Sequence, residues 1–134
     1  SDLVAHQIAV EKRLAFHLPS VRGDRVQLQQ VLLNFIMNAC DAMSDTAPEE
    51  RVLTVTTASP DDQSVEVCVV DTGGGFSSEL QEHLFEPFIT TKQNGLGLGL
   101  SICRSIVVAH SGSLGAENNA VGGAAFHLSL PAYR

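Results

Sequence analysis

Hydrophobic positions along the chain follow two periods, and the places where the period changes mark the elements. From about residue 25 to 43, Leu28, Leu32, Phe35, Ala39 and Ala42 recur at steps of three and four, with Val31, Ile36 and Met43 widening the stripe. This spacing predicts a long helix, with Gly23 breaking the chain before it and Asp24 as its N-cap. The apolar run Ile102 to Ala109 predicts a second helix, starting at Gly97 or Gly99, reaching His110, and closed by Gly112. A two-residue period governs the rest. Ile8, Val10, Leu14, Phe16 and Leu18 alternate loosely and predict a strand over 8–18, stopped by Pro19. β-rich runs over 52–57 and 65–70, joined by a Pro-Asp-Asp-containing loop, suit an antiparallel pair. A loop over 44–50, a short helix over 78–84 and a last strand pair over 113–116 and 124–130 complete the reading. Adjacent antiparallel strands favour an α+β sandwich, with helices on one face of a mixed sheet, over a doubly wound parallel fold.

Composition narrows the class. A chain of 134 residues with 44% hydrophobic and 17% charged residues is one globular domain with a real core. No apolar run approaches the ~20 residues that span a bilayer, and the basic-then-apolar order of a signal peptide is missing at the start. The chain begins at Ser1 without Met, which reads as a piece of something longer, with residues 1–7 the remnant of an upstream linker or helix and 8–134 the domain. The net charge of −7 argues against a nucleic-acid or anionic-membrane surface. Any polyphosphate site must therefore be made attractive locally, by a few basic groups, backbone N–H groups and a divalent cation.

Against that background a few residues carry chemistry. In the stretch from Asn94 to Leu100, Gly95, Gly97 and Gly99 alternate with Leu96, Leu98 and Leu100, and a helix follows. Glycines let a ligand approach the backbone, and a helix N-terminus offers free N–H groups to phosphate, although the same pattern also serves close helix–sheet packing. Asn34 and Asn38 stack four apart on the first long helix, with Asp41 further along. Asparagine is a poor helix former, and its oxygen ligates Mg²⁺ without adding charge; a solvated polar face is the plainer reading. Asp71 continues the parity of Val65, Val67 and Val69, so its carboxylate points to the side those valines cover. There it either caps the turn that follows or accepts from a ligand amine, such as adenine's. Lys92, one of only eight basic residues, lies just before the glycine-rich turn. Cys40, Cys68 and Cys103 sit inside apolar runs and read as small buried hydrophobes. The five histidines are scattered without metal-site spacing and read as ordinary residues.

These pieces resemble one family: the catalytic, ATP-binding domain of bacterial sensor histidine kinases, within the superfamily that includes gyrase, heat-shock-90-type chaperones and mismatch-repair ATPases. An N box runs from Gln30 to Met43 with Asn34 and Asn38. A first glycine box runs from Asp71 to Phe76 with Gly73 and Gly75. An F box runs from Phe85 to Lys92, a second glycine box from Gly95 to Leu100, and Gly122-Gly123-Ala124-Ala125-Phe126 closes the series. All five occur in family order, and the wording is similar to the oxygen- and nutrient-sensing subgroup.

The resemblance implies a Bergerat-type two-layer sandwich that binds ATP and Mg²⁺. It implies that Asn38 ligates the metal with Asn34 in the phosphate region, and that Asp71 receives the adenine N6 amine in a pocket shaped by Gly73 and Gly75. Lys92 would reach the phosphates, and Gly97 and Gly99 with their helix would hold the β/γ end, which assigns Asn34, Asn38 and Lys92 to catalysis. Thr91 and the Thr72 hydroxyl would be secondary contacts, and residues 76–95 the ATP lid. Asp41, Gly95, Leu96, Leu98, Leu100 and Phe126 complete the implied nucleotide site. Gly74 stands where the family often has proline.

ATP-hydrolysing members carry a glutamate one turn before the metal-binding asparagine, and Asn34 fills that place here. The attacking group would then be an imidazole on a separate helical dimerisation domain, and a response regulator would take the phosphoryl group onward. None of the five histidines has the acceptor's His-Glu/Asp-x-x-x-Pro context. The domain would be cytoplasmic without direct membrane contact, as the inner part of a membrane-anchored sensor or of one without an anchor. The alternatives are an ATP-driven conformational switch, a nucleotide-sensing interaction module, and a serine kinase of the anti-sigma type.

Overall fold

The computed structural model describes residues 7–81, 83–86, 96–119 and 122–133. In order these form β1 (Ala9–Arg13), α1 (Arg25–Ala42), a 3-10 turn (Pro48–Glu50), β2 (Val52–Ala58), β3 (Ser64–Val70), α2 (Ser78–Gln81), α3 (Leu96–Ala109), β4 (Ser113–Asn118) and β5 (Ala124–Pro131). The strands make one five-stranded sheet in the order β1-β2-β3-β5-β4. The crossover through α1 makes β1 parallel to β2, and every other neighbouring pair is antiparallel. The sheet is thus mixed and mostly antiparallel, and helices pack on one face, as in a Bergerat fold.

The apolar stripe of α1 explains the packing. Val31, Phe35 and Ala39 are buried with Cys103 and Val107 of α3 against Leu53, Val69, Phe126 and Leu128 of the sheet. Phe126 anchors the aromatic centre, with Phe35, Phe76 and Phe85 ring centroids at 5.3, 6.2 and 6.5 Å. Asp24 caps α1 as its position predicts, its Oδ1 accepting the Gln27 N–H at 3.1 Å.

Several boundaries differ from the reading of the sequence. β1 stops at Arg13 and does not reach Leu18, because its partner β2 ends two residues beyond the Arg13↔Thr56 pair. Leu14 and Phe16 then stand in solvent, Phe16 at 98% exposure. The helix expected over 78–84 is the four-residue α2. α3 begins at Leu96, so Gly97 and Gly99 lie inside its first turn and not ahead of it. At its other end the left-handed position falls on Ser111 (φ 64°), while the Gly112 N–H returns to the Val107 carbonyl at 2.9 Å. The loop over 44–50 contains the 3-10 turn. Cys40 and Cys103 are buried, but Cys68 is only half-buried, being on the outer face of β3 by parity with Val67 and Val69.

Candidate functional site

The inner-face parity of β3 carries one residue past the strand's end. Val69 is buried at 1% exposure and Asp71 follows it, also at 1%. Asp71 Oδ1 accepts the backbone N–H of Gly73 at 2.8 Å and of Ala124 at 3.2 Å. Its Oδ2 is buried and has no partner among the described residues. The turn-capping role and the open acceptor therefore coexist, one on each oxygen. Burial pushes this carboxyl above the ordinary 3.8, against the two N–H bonds, which favour the anion.

The backbone closes tightly around it. A Cβ on Gly73 would run into the Ala42 carbonyl, so the turn packs directly on the end of α1. Gly123, at φ +86°, lies against the backbone of Asp71 and leaves no room for a side chain. Asn118, at the end of β4, holds Phe76 from both sides: its Oδ1 accepts the Phe76 N–H at 3.0 Å and its Nδ2 donates to the Phe76 carbonyl at 2.7 Å. Gly75 (φ +73°) sits beside that amide. Nothing in the spacing of Asn118 singles it out, because its partner lies 42 residues away.

The two long helices form the neighbouring wall. Asn34 is half-buried, and its Nδ2 donates to Cys103 Sγ of α3 at 3.4 Å. Asn38 and Asp41 follow on α1, both half-buried. Leu96, Gly97, Leu98 and Gly99 form the first turn of α3, and Leu100 is buried in the core at 4% exposure. Asp71, Gly73 and the end of α1 are thus in contact, and α1 in turn is tied to α3. Thr91, Lys92 and Gly95 lie outside the described residues.

The family model described as "Histidine kinase-, DNA gyrase B-, and HSP90-like ATPase" matches residues 23–134. The chain belongs to this family. Sensor protein FixL of Bradyrhizobium diazoefficiens is 51% identical over 112 residues, which cover 84% of this chain and 22% of FixL. The catalytic domain of histidine kinase ThkA is similar with a TM-score of 0.84 and 32% identity, covering 98% of this chain and 83% of that one. ThkA in complex with the response regulator protein TrrA is similar with a TM-score of 0.80 and 30% identity, covering 98% of this chain and 36% of that one. The chain is accordingly a GHKL-superfamily catalytic domain, the ATP-binding kinase core of a two-component sensor histidine kinase, and it spans about a fifth of the length of FixL (22%).

Within this histidine kinase domain residues of the motif boxes also have structural work. Phe126 is buried at the centre of the aromatic cluster. The Thr72 hydroxyl donates to the Glu50 carbonyl at 2.7 Å and accepts the Val52 N–H at 3.0 Å, so it ties the start of β2 to the end of β3. Among the described residues no three His, Cys, Asp or Glu side chains gather into a metal cage. A single neutral amide oxygen such as that of Asn38 fits Mg²⁺ whose remaining positions are filled by phosphate and water. No helix among the described residues is long and apolar enough to cross a membrane. A cavity of about 370 Å³, lined by Arg22, His110, Ser111 and Tyr133, opens at the far end of β5 from Asp71.

Proposed function

We propose that this kinase core binds ATP·Mg²⁺ and transfers the γ-phosphoryl group to a histidine on a separate helical dimerisation domain. The observation that carries the reading is Asp71 Oδ2, a buried acceptor with no donor among the described residues. Such an orphan costs about 1–3 kcal/mol until a donor reaches it, and an exocyclic amine of adenine is a donor of the right kind. The Gly73 and Gly123 backbones pack against Ala42 and against Asp71 itself, and so hold the carboxylate in place for such a donor.

In this reading Asn38 ligates Mg²⁺, Asn34 lies in the phosphate region, and the first turn of α3 with Gly97 and Gly99 holds the β/γ end. Lys92 and Thr91 reach the phosphates from the lid, with Gly95 as its hinge. Mg²⁺ when bound offsets charge on the transferring group. Asn34 has no proton to exchange at neutral pH, so this chain orients and neutralises and does not activate water. The nucleophile comes from the dimerisation domain, and the response regulator is the onward acceptor.

Calorimetric titration with ATP, with and without Mg²⁺, tests the binding half on wild type and Asp71→Asn. Binding by wild type, lost about 100-fold in Asp71→Asn, is expected, since a bond to a charged group is worth about 1.5–3 kcal/mol. Equal affinities would end the adenine assignment. Labelled ATP together with a cognate dimerisation domain tests the second half. Normal nucleotide binding without any label on that partner would end the transfer reading.

A further inference from the structure

We infer that His110 is a positioning residue for the nucleotide site, acting from the opposite end of the helix pair. Its ring lies between the C-terminus of α3 and the N-terminus of α1. The Asp24 backbone N–H donates to His110 Nε2 at 3.0 Å. An N–H only donates, so Nε2 is the acceptor, the ring proton sits on Nδ1, and Nδ1 donates to the Ile106 carbonyl at 2.8 Å. Both nitrogens are engaged, which leaves the ring no capacity to bind a ligand of its own. The fit is close: a Cβ on Gly23 would lie 2.5 Å from His110 Cδ2. The left-handed Ser111 and the Gly112-to-Val107 bond end α3 just beyond the ring and fix where it stands.

The consequence follows from helix stiffness. α1 carries Asn34 and Asn38, and α3 opens with Gly97 and Gly99. The inference rests on the proposed reading that the phosphates and Mg²⁺ lie between these two segments. Their separation depends on the axial register of α1 against α3. Among the described residues polar ties help set that register at two places: Cys103 at mid-length, with Asn34 and the Val31 carbonyl, and Asp24 to His110 at the far end. A 14-residue helix transmits a shift at one end to the other about 20 Å away, and misplacement of about 1 Å at a site costs up to about 100-fold. His110 is thus connected to the phosphate end of the site without touching it.

Four proteins test this: wild type, His110→Asn, His110→Gln and Val65→Ala. Asn retains a donor where Nδ1 stood but is too short for Asp24, whereas Gln places an acceptor at the reach of Nε2. Val65 is a buried residue of β3 outside the helix pair, and its truncation controls for lost stability. Affinities for ATP·Mg²⁺ and for adenosine are measured by calorimetry well below each melting temperature, and amide resonances are recorded without ligand. His110→Asn is expected to weaken ATP·Mg²⁺ about tenfold, the worth of one hydrogen bond, with less than about a twofold change for adenosine. The amides of Asn38 and of the first turn of α3 should shift in the free protein. Gln should restore affinity, and Val65→Ala should lower the melting temperature alone. Unchanged ATP·Mg²⁺ affinity and unshifted Asn38 amide in His110→Asn would overturn the positioning role. Wild type that binds adenosine but not ATP·Mg²⁺ would overturn the nucleotide reading, and the inference with it, whereas the former result leaves that reading standing.

Discussion

The two ends of β5 treat their polar groups in opposite ways, buried Asp71 at one and half-buried His110 at the other. At its start, Asp71 has one oxygen bonded to two backbone N–H groups and the other bonded to none among the described residues. At its finish, the adjoining His110 has both ring nitrogens engaged. Full satisfaction rigidifies and favours one arrangement; an orphan costs stability until a partner comes. On the proposed reading the far end holds the helices in register, and the Asp71 end keeps an acceptor open for the nucleotide. Backbone crowding repeats the contrast. Gly123 and Gly73 bring main chain against main chain around Asp71, whereas around His110 it is the ring that fills the gap.

The largest effect should come from crowding the Asp71 end. Gly123→Ala forces a methyl onto the Asp71 carbonyl at a backbone φ of +86°, and should cost about 3–5 kcal/mol in urea unfolding. A cost below about 1 kcal/mol would mean that this end yields, and the contrast would lose its basis. Next, Asp71→Asn should separate stability from function: a neutral amide replaces a carboxylate whose charge burial disfavours, raising stability by about 1 kcal/mol at neutral pH while nucleotide binding is lost. A drop in stability would show that the carboxylate is there for the fold. The pH dependence sharpens this. Because the folded-state pKa of Asp71 is raised above 3.8, its contribution is fully present below that value and lost as pH rises through the folded-state pKa. The difference in unfolding free energy between wild type and Asp71→Asn should therefore move against wild type as pH rises above about 4. Affinity for ATP·Mg²⁺ should rise over the same interval in wild type and stay flat in the variant. The smallest effect is at Phe16, where 98% exposure leaves almost nothing buried to lose. Phe16→Ser should shift the urea midpoint by less than about 0.5 kcal/mol equivalent. A larger loss would mean that the apolar residues past β1 are covered in the folded protein.

Periodicity alone locates α1 within a residue of its observed end, because its stripe of Leu28, Leu32, Phe35 and Ala39 is set by which face packs on the sheet. It overruns β1, because alternation in Leu14, Phe16 and Leu18 says nothing about whether a neighbouring strand extends that far. It puts the start of α3 at Gly97 or Gly99, one to three residues inside the observed start at Leu96, because glycine is a weak helix former and its propensity penalty is outweighed by continuation of the helix. At the site, the parity of β3 is enough to send the Asp71 carboxylate inward, while Asn118 gives no local signal at all.

The order of residues along the chain therefore dictates local features: the helical and extended runs, their apolar faces, the direction of Asp71 and the five motif boxes that identify the family. The folded arrangement alone settles which oxygen of Asp71 is left open, that Asn118 holds Phe76, and that His110 joins Asp24 across 86 residues. The reason is physical. Burial periodicity is written along the chain by neighbours three, four or two residues apart, but a hydrogen bond is satisfied only by whichever group the folded path brings within about 3 Å.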